Sequence, residues 1–279
     1  MTAVGLELRR PGPPHRQVWK VVGVLGVTLR TRAAYAGQII LRTAFLALVL
    51  FSFSQLWAAT SLSVDVRAVT GFTVAQLIWY LAFTEATVSG IPFRESEVDQ
   101  EVRSGDIATR LIRPLAYPAF HFGSQVGDRL VRFGLNLCVG VPVALLVAGP
   151  IALRPLNVVA GLVAAVTALA ADWVWTFSIS MLAFWFEDTS GVQLLYRRAT
   201  MLLGGLLVPL EAYPDWLGKV CQALPFRFMV AGPARMFVAD GVRGLGTLLG
   251  AELIYGAAGL VPLLVLYRLG LRRVTSQGG

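Results

Sequence analysis

Six apolar runs, at roughly 38–59, 71–92, 133–153, 157–186, 192–210 and 245–267, constrain this chain more than any other feature. Each can supply the ~20 residues that a helix needs to cross bilayer hydrocarbon. A backbone in lipid has no water to bond, so stretches such as 41–60 and 161–186 are expected to be helices rather than open strands. The expected fold class is therefore all-α, a membrane protein of six transmembrane helices.

The arginines orient these runs. Arg9, Arg10, Arg16, Lys20, Arg30 and Arg32 precede the first run, and Arg67 alone follows it. Arg94, Arg103, Arg110, Arg113, Arg129 and Arg132 follow the second, Arg154 the third, and Arg197 with Arg198 the fourth. Arg268, Arg272 and Arg273 close the chain. Excess positive charge stays cytoplasmic, which places both termini inside. The last outer connection, with Lys219, Arg227, Arg235 and Arg243, is the exception. A composition of 56% hydrophobic and 14% charged residues suits a membrane chain, and the +8 charge belongs on its inner rim rather than on nucleic acid. No separate soluble domain is expected, and the N-terminus is expected to be retained rather than cleaved as a signal.

Chemistry is scarce. The lysines, Lys20 and Lys219, are each followed by Val, which excludes an ATP-binding loop of the form GxxxxGK[ST]. Cys138 and Cys221 fall on different sides of the hydrocarbon and imply neither a disulfide nor a thiolate metal site. No catalytic residue and no metal ligand set is expected. Within the runs lie Arg42, Glu85, Asp172 and Glu252, each costly in lipid unless paired or hydrated. Arg42 is expected to snorkel; Glu85 either pairs with Arg42 or faces an inner cavity; Asp172 and Glu252 are read as interior hydrogen-bonding groups.

Three segments outside the runs have their own pattern. Residues 16–35 put Arg16, Lys20, Thr28, Thr31 and Arg32 broadly on one face, as in a helix lying in the headgroup layer, or else extend the first span. After the second run, the charged stretch 94–118 places Asp99 and Arg103 four apart. Gly105 is read as a stop, and Asp106 as the cap of a second short helix ending before Pro114. It is either a solvated loop or a docking element. The connection 211–244, broken by Pro214, Pro225 and Pro233, suits short helices dipping into the outer leaflet and burying Trp216, Phe226, Phe228 and Phe237.

This arrangement resembles the permeases of ABC-2 type transporters. The resemblance sharpens at GFTVAQLIWYLAFTE (71–85), EVDQEVRSGDIATRLIRPLAYP (97–118), FWFEDTSGVQLLYRRATMLLGGLLVPLEAYPDWL (184–217) and GPARMF (232–237). It implies one transmembrane domain over 1–279: an N-terminal segment with an interfacial helix (1–37), six spans (38–267) and a cytoplasmic tail (268–279). It also implies a plasma membrane location, the inner membrane of a bacterium. Its partners would be a separate P-loop ATPase that holds ATP and Mg, a second permease, identical or sister, and membrane lipid. The loop after the second span would be the coupling helix. Matched by position, its transmission surface is Glu95, Glu97, Asp99, Glu101, Arg103, Gly105, Asp106, Arg110 and Arg113. Gly204, Gly205, Pro209, Pro214, Trp216 and Pro225 would form an outer gate, the glycines serving either bending there or packing within one subunit. Export of an amphipathic or apolar drug, lipid or glycan is the implied activity. The rival readings are an ion-coupled secondary transporter working through Glu85 and Asp172, and an integral-membrane enzyme, which lacks a reactive constellation.

Overall fold

The computed structural model describes residues 14–34, 36–91, 97–111, 115–186 and 188–277, with side chains except at 14–16, 32–34, 36–44, 240 and 274–277. Among these residues every regular element is helical. In order they are α1 (Pro14–Ala34), α2 (Ala36–Thr60), α3 (Val66–Thr70), α4 (Val74–Ser89), α5 (Glu97–Ser104), α6 (Ile107–Leu111) and α7 (Tyr117–Ala148). There follow α8 (Pro155–Ser180) with a 3-10 turn at Met181–Phe184, α9 (Ser190–Leu203), a 3-10 turn at Leu210–Ala212, and α10 (Asp215–Ala223). The chain ends with α11 (Phe226–Met229), α12 (Ala231–Arg235), a π turn at Met236–Asp240, and α13 (Leu245–Gln277).

Three helices, Tyr117–Ala148, Pro155–Phe184 and Leu245–Arg273, are long and apolar enough to cross a membrane, and Phe45–Thr60 is a shorter apolar one. Their boundaries depart from the apolar runs. The third run was expected from 133, yet α7 begins at Tyr117, started by Pro118 in its first turn and stopped at Gly149. Arg129 and Arg132, counted from sequence in the cytoplasmic loop, therefore lie inside α7. The second run starts late because Asp65 caps α3, Gly71 turns the chain, and Thr73 with Gln76 forms a capping box at the head of α4. That leaves α4 with 16 residues, about 24 Å. The fifth run holds only 14 helical residues, α9, because the backbone leaves the helix at Gly204 and Gly205.

Packing fixes the direction of each helix. Ala82 and Ala86 of α4 meet Gly140 and Asn136 of α7, so the two run antiparallel. In α9, Gln193 reaches Ser180 and Tyr196 reaches Asp172, which makes it antiparallel to α8. Thr167, Ala171 and Ser178 of α8 contact Glu252, Gly256 and Gly259 of α13, which therefore runs in the same sense as α8. The main core joins α2, α4, α7 and α8 with the α12 and π-turn region around Leu50, Trp79, Phe83 and Phe237. Outward from it, Phe45, Phe51, Leu146, Leu195, Leu253 and Ile254 are exposed. So much apolar surface on long helices is stable against lipid rather than water.

Helix α1 lies along α7, where Gly123 faces Val21 and Val24, and Gly127 faces Leu25 and Thr28. Thr28, grouped from sequence with the charged face, is thus turned toward α7, and its hydroxyl bonds back to the Val24 carbonyl at 2.9 Å. Val18, Trp19, Val22 and Val27 form the exposed apolar side.

Candidate functional site

The charged segment after α4 folds as the expected pair of short helices, α5 and α6, hinged at Gly105 with φ +78°. Val98 and Ile107, both buried, pin the pair into a cluster with Tyr117, Phe177, Met181 and Phe184. The acidic side chains then divide by direction. Asp99 is fully buried, and its carboxylate accepts hydrogen bonds from the Thr189 amide (3.0 Å) and hydroxyl (2.8 and 2.9 Å) just ahead of α9. The expected Asp99–Arg103 pairing is replaced: the Arg103 side chain donates instead to the Asp99 carbonyl, at 3.3 Å.

Glu101 also turns inward. It accepts from the Tyr117 hydroxyl at 2.7 Å, lies 3.3 Å from His121 Nε2, and forms an ion pair with Arg110 at 3.2 Å. Burial alone would raise its carboxyl, but the bonds from His121 and Tyr117, with the charges of His121 and Arg110, carry it below the ordinary range. Glu97 lies 3.7 Å from His121 Nδ1 and 3.4 Å from Gln125, whose carbonyl oxygen accepts from the Trp173 indole. Arg110 lies 5.3 Å over the Phe120 ring.

The exposed rim of the hairpin is Glu97, Gln100, Arg103, Ser104, Gly105, Asp106 and Thr109. Asp106 was expected to cap α6; its carboxylate instead accepts from Ser104 at 2.9 Å, because Gly105 turns the chain back there. Glu95 and Arg113 lie outside the described residues. Of the nine sequence candidates, the structure therefore brings Glu97, Asp99, Glu101, Arg103, Gly105, Asp106 and Arg110 into one hairpin. Asp99 and Glu101 hold it from within.

At the opposite end, residues 204–240 fold into short helical pieces around α4. Gly205 has φ +75°, open to glycine but strained for other residues. Its carbonyl accepts from the Tyr80 hydroxyl at 2.6 Å, and the Leu206 carbonyl from the Thr84 hydroxyl at 2.7 Å. The Gly204 carbonyl accepts from the Ala231 amide at 3.1 Å. These three bonds satisfy the carbonyls of 204–206, and the Tyr213 hydroxyl satisfies that of Leu202 in the last turn of α9. Arg235 pairs with Glu211 and lies 5.6 Å over the Phe72 ring. Phe237 is buried and stacks on Phe83 at 4.6 Å, while Phe226 and Phe228 are half-buried. Trp216 is 69% exposed on α10, on the side away from Gly218 and Cys221, which take the buried side of that helix. Pro209 is buried, Pro214 exposed, and Pro225 half-buried at the head of α11.

Between the two ends is an ionic cluster that sequence reading missed in part. Arg129 of α7 and Asp172 of α8 are 2.7 Å apart and both buried. Arg129 also donates to Thr176 at 2.8 Å and to the Leu169 carbonyl, while the Tyr196 hydroxyl donates to Asp172 at 2.9 Å. Asp172 is thus an interior hydrogen-bonding group, as expected from its sequence context. The signal that could have identified Arg129 is the lack of any proline between Pro118 and Pro142, which permits one continuous helix. Glu85 accepts from Ser89 at 3.3 Å, and its pairing with Arg42 lies outside the described side chains. Glu252 contacts the Thr167 hydroxyl.

Among the described residues no three His, Cys, Asp or Glu side chains gather as a metal would need. A family model described as "ABC-2 family transporter protein" matches residues 43–278. No curated protein and no solved structure matches the chain.

Proposed function

Because the chain belongs to the ABC-2 transporter family, we propose that it is the six-span permease subunit of an ATP-driven exporter, with both termini cytoplasmic. A separate P-loop ATPase carries ATP and Mg, and a second permease completes the pathway. ATPase closure moves the α5–α6 hairpin, and the two permeases pass from inward-open to outward-open, biased by ATP. Alternating helix directions support the six spans, including α4 and α9, which reach full depth with help from the turns at their ends.

The observation that carries this reading is the hairpin itself. It follows α4, is locked by Asp99 to the start of α9 and by Glu101 to α7, and turns a charged rim outward. A solvated linker has no reason to bury two carboxylates; a docking element must hold its shape under load. The exposed apolar side chains Phe45, Leu48 and Phe51 of α2 suit an amphipathic or apolar cargo. The test is affinity capture of the tagged chain in mild detergent, co-expressed with its genomic neighbours, followed by an ATPase assay. A captured P-loop ATPase that is lost on Asp106→Arg supports the assignment. Recovery of the chain alone in every detergent would overturn it.

A further inference from the structure

A groove of about 560 Å³ lies between the start of α7, the middle of α8 and α13, a volume within the range of small-molecule sites. Its walls are apolar, with Phe122, Trp173, Gly256, Leu260 and Leu264 among them, and Glu252 is set into one side. Leu253 and Leu260 on its flank are exposed apolar side chains that a bilayer would cover, so an occupant would arrive from the lipid. Glu252 is the eighth residue of α13, about 10 Å along the helix from its N-terminal end.

The carboxyl is incompletely satisfied. Glu252 is fully buried, one oxygen contacts Thr167, and the other, Oε1, has no hydrogen-bond partner among the described residues. Thr167 cannot supply more, because its single hydroxyl proton is also shared with the carbonyls of Ala164 (2.9 Å) and Val163 (3.2 Å). A buried carboxyl with a bare oxygen beside an apolar groove is complementary to a ligand with a hydrophobic body and a cationic donor. An acyl chain alone would fill the walls and leave Oε1 unpaired, and an anionic headgroup would be repelled.

We propose that this groove binds a lipophilic amine, its ammonium on Glu252 and its hydrocarbon along Phe122, Trp173 and Leu260. The site is separate from the α5–α6 hairpin and needs only that the helices lie in a bilayer, so it stands or falls independently of ATPase capture.

The test uses the purified full chain in phosphatidylcholine nanodiscs and two probes, a long-chain primary amine brominated at its tail and the alcohol of the same chain. Bromine close to Trp173 quenches its fluorescence. The expected result is a saturable quench by the amine at a concentration at least about tenfold below that of the alcohol. Glu252→Gln should bring the amine down to the alcohol's level, Trp173→Phe should remove the saturable part, and Leu260→Phe, narrowing the groove from its exposed wall without adding an indole, should weaken both probes. Equal affinity for amine and alcohol in the parent chain would mean that acyl chains simply fill the groove, and would overturn the proposal. So would an amine preference that survives Glu252→Gln, or no saturable quench by either probe, as when a second copy covers the groove.

Discussion

The guanidinium of Arg129 meets the carboxylate of Asp172 at 2.7 Å, joining α7 to α8 where neither side chain reaches solvent. Removing one member strands the other. Asp172→Ala should lower the thermal midpoint of the purified chain by the equivalent of about 3–5 kcal/mol. Arg129→Met combined with Asp172→Leu should recover most of that loss. A double variant no more stable than Asp172→Ala would show that the pair is not the source of the effect.

Asp99 holds both the amide and the hydroxyl of Thr189. Bonds to a charged group contribute about 1.5–3 kcal/mol each, so Asp99→Ala should loosen the hairpin locally. Hydrogen exchange over 97–111 and around 189–191 is expected to quicken while α13 keeps its protection. Unchanged exchange in the hairpin would remove Asp99 from its anchoring role.

Glu101 makes that anchorage depend on acidity. Despite burial, its bonds to His121 and Tyr117 and the charges of His121 and Arg110 hold its folded pKa below the ordinary 4.5. The stabilisation is therefore fully present above 4.5 and is lost as pH falls through the lowered folded value. Exchange protection of α5 and α6 should decline as pH falls below that ordinary value. Glu101→Gln should abolish the acid limb, and a profile unaltered by this change would count against the assignment.

Gly205→Ala forces a side chain into φ +75° beside Leu210, whose Cδ2 would lie 3.0 Å from the new Cβ. The conformational cost is about 1–2 kcal/mol. Tyr80→Phe leaves the Gly205 carbonyl without its 2.6 Å donor and should cost about 1–3 kcal/mol. Because both act on one turn, the double variant should fall short of the sum, as measured by thermal melts of all four chains. Strict additivity would separate the hydroxyl from the turn.

The helical class, the hinge at Gly105 and the short helices of 210–240 were legible because each has a local cause: apolar length, a glycine with positive φ, and prolines that stop helices. The positions of Asp99 and Glu101 were not legible in the same way. Their burial depends on Thr189, Tyr117 and His121, partners up to 90 residues away in sequence, and a helix pattern alone reads carboxylates on a polar segment as solvated. Arg129 was misplaced for a related reason. Counting charges assigns an arginine to water, whereas Asp172 in the neighbouring helix allows it to lie inside. The fifth run looked continuous because hydropathy does not register that two glycines have left the helix.

Helix α4 is grasped about its middle by its own two hydroxyls, Tyr80 donating to Gly205 and Thr84 to Leu206, and after Ser89 the chain leads on toward α5. A rod tied so closely to the 204–206 turn cannot slide along its axis or tilt without carrying that turn with it. Communication between the two faces then requires no relay of side-chain rearrangements through the interior. It is built as a push-rod, and stiffness along about 24 Å of helix, rather than any single contact, becomes the quantity that sets how faithfully a displacement at one end would be reproduced at the other.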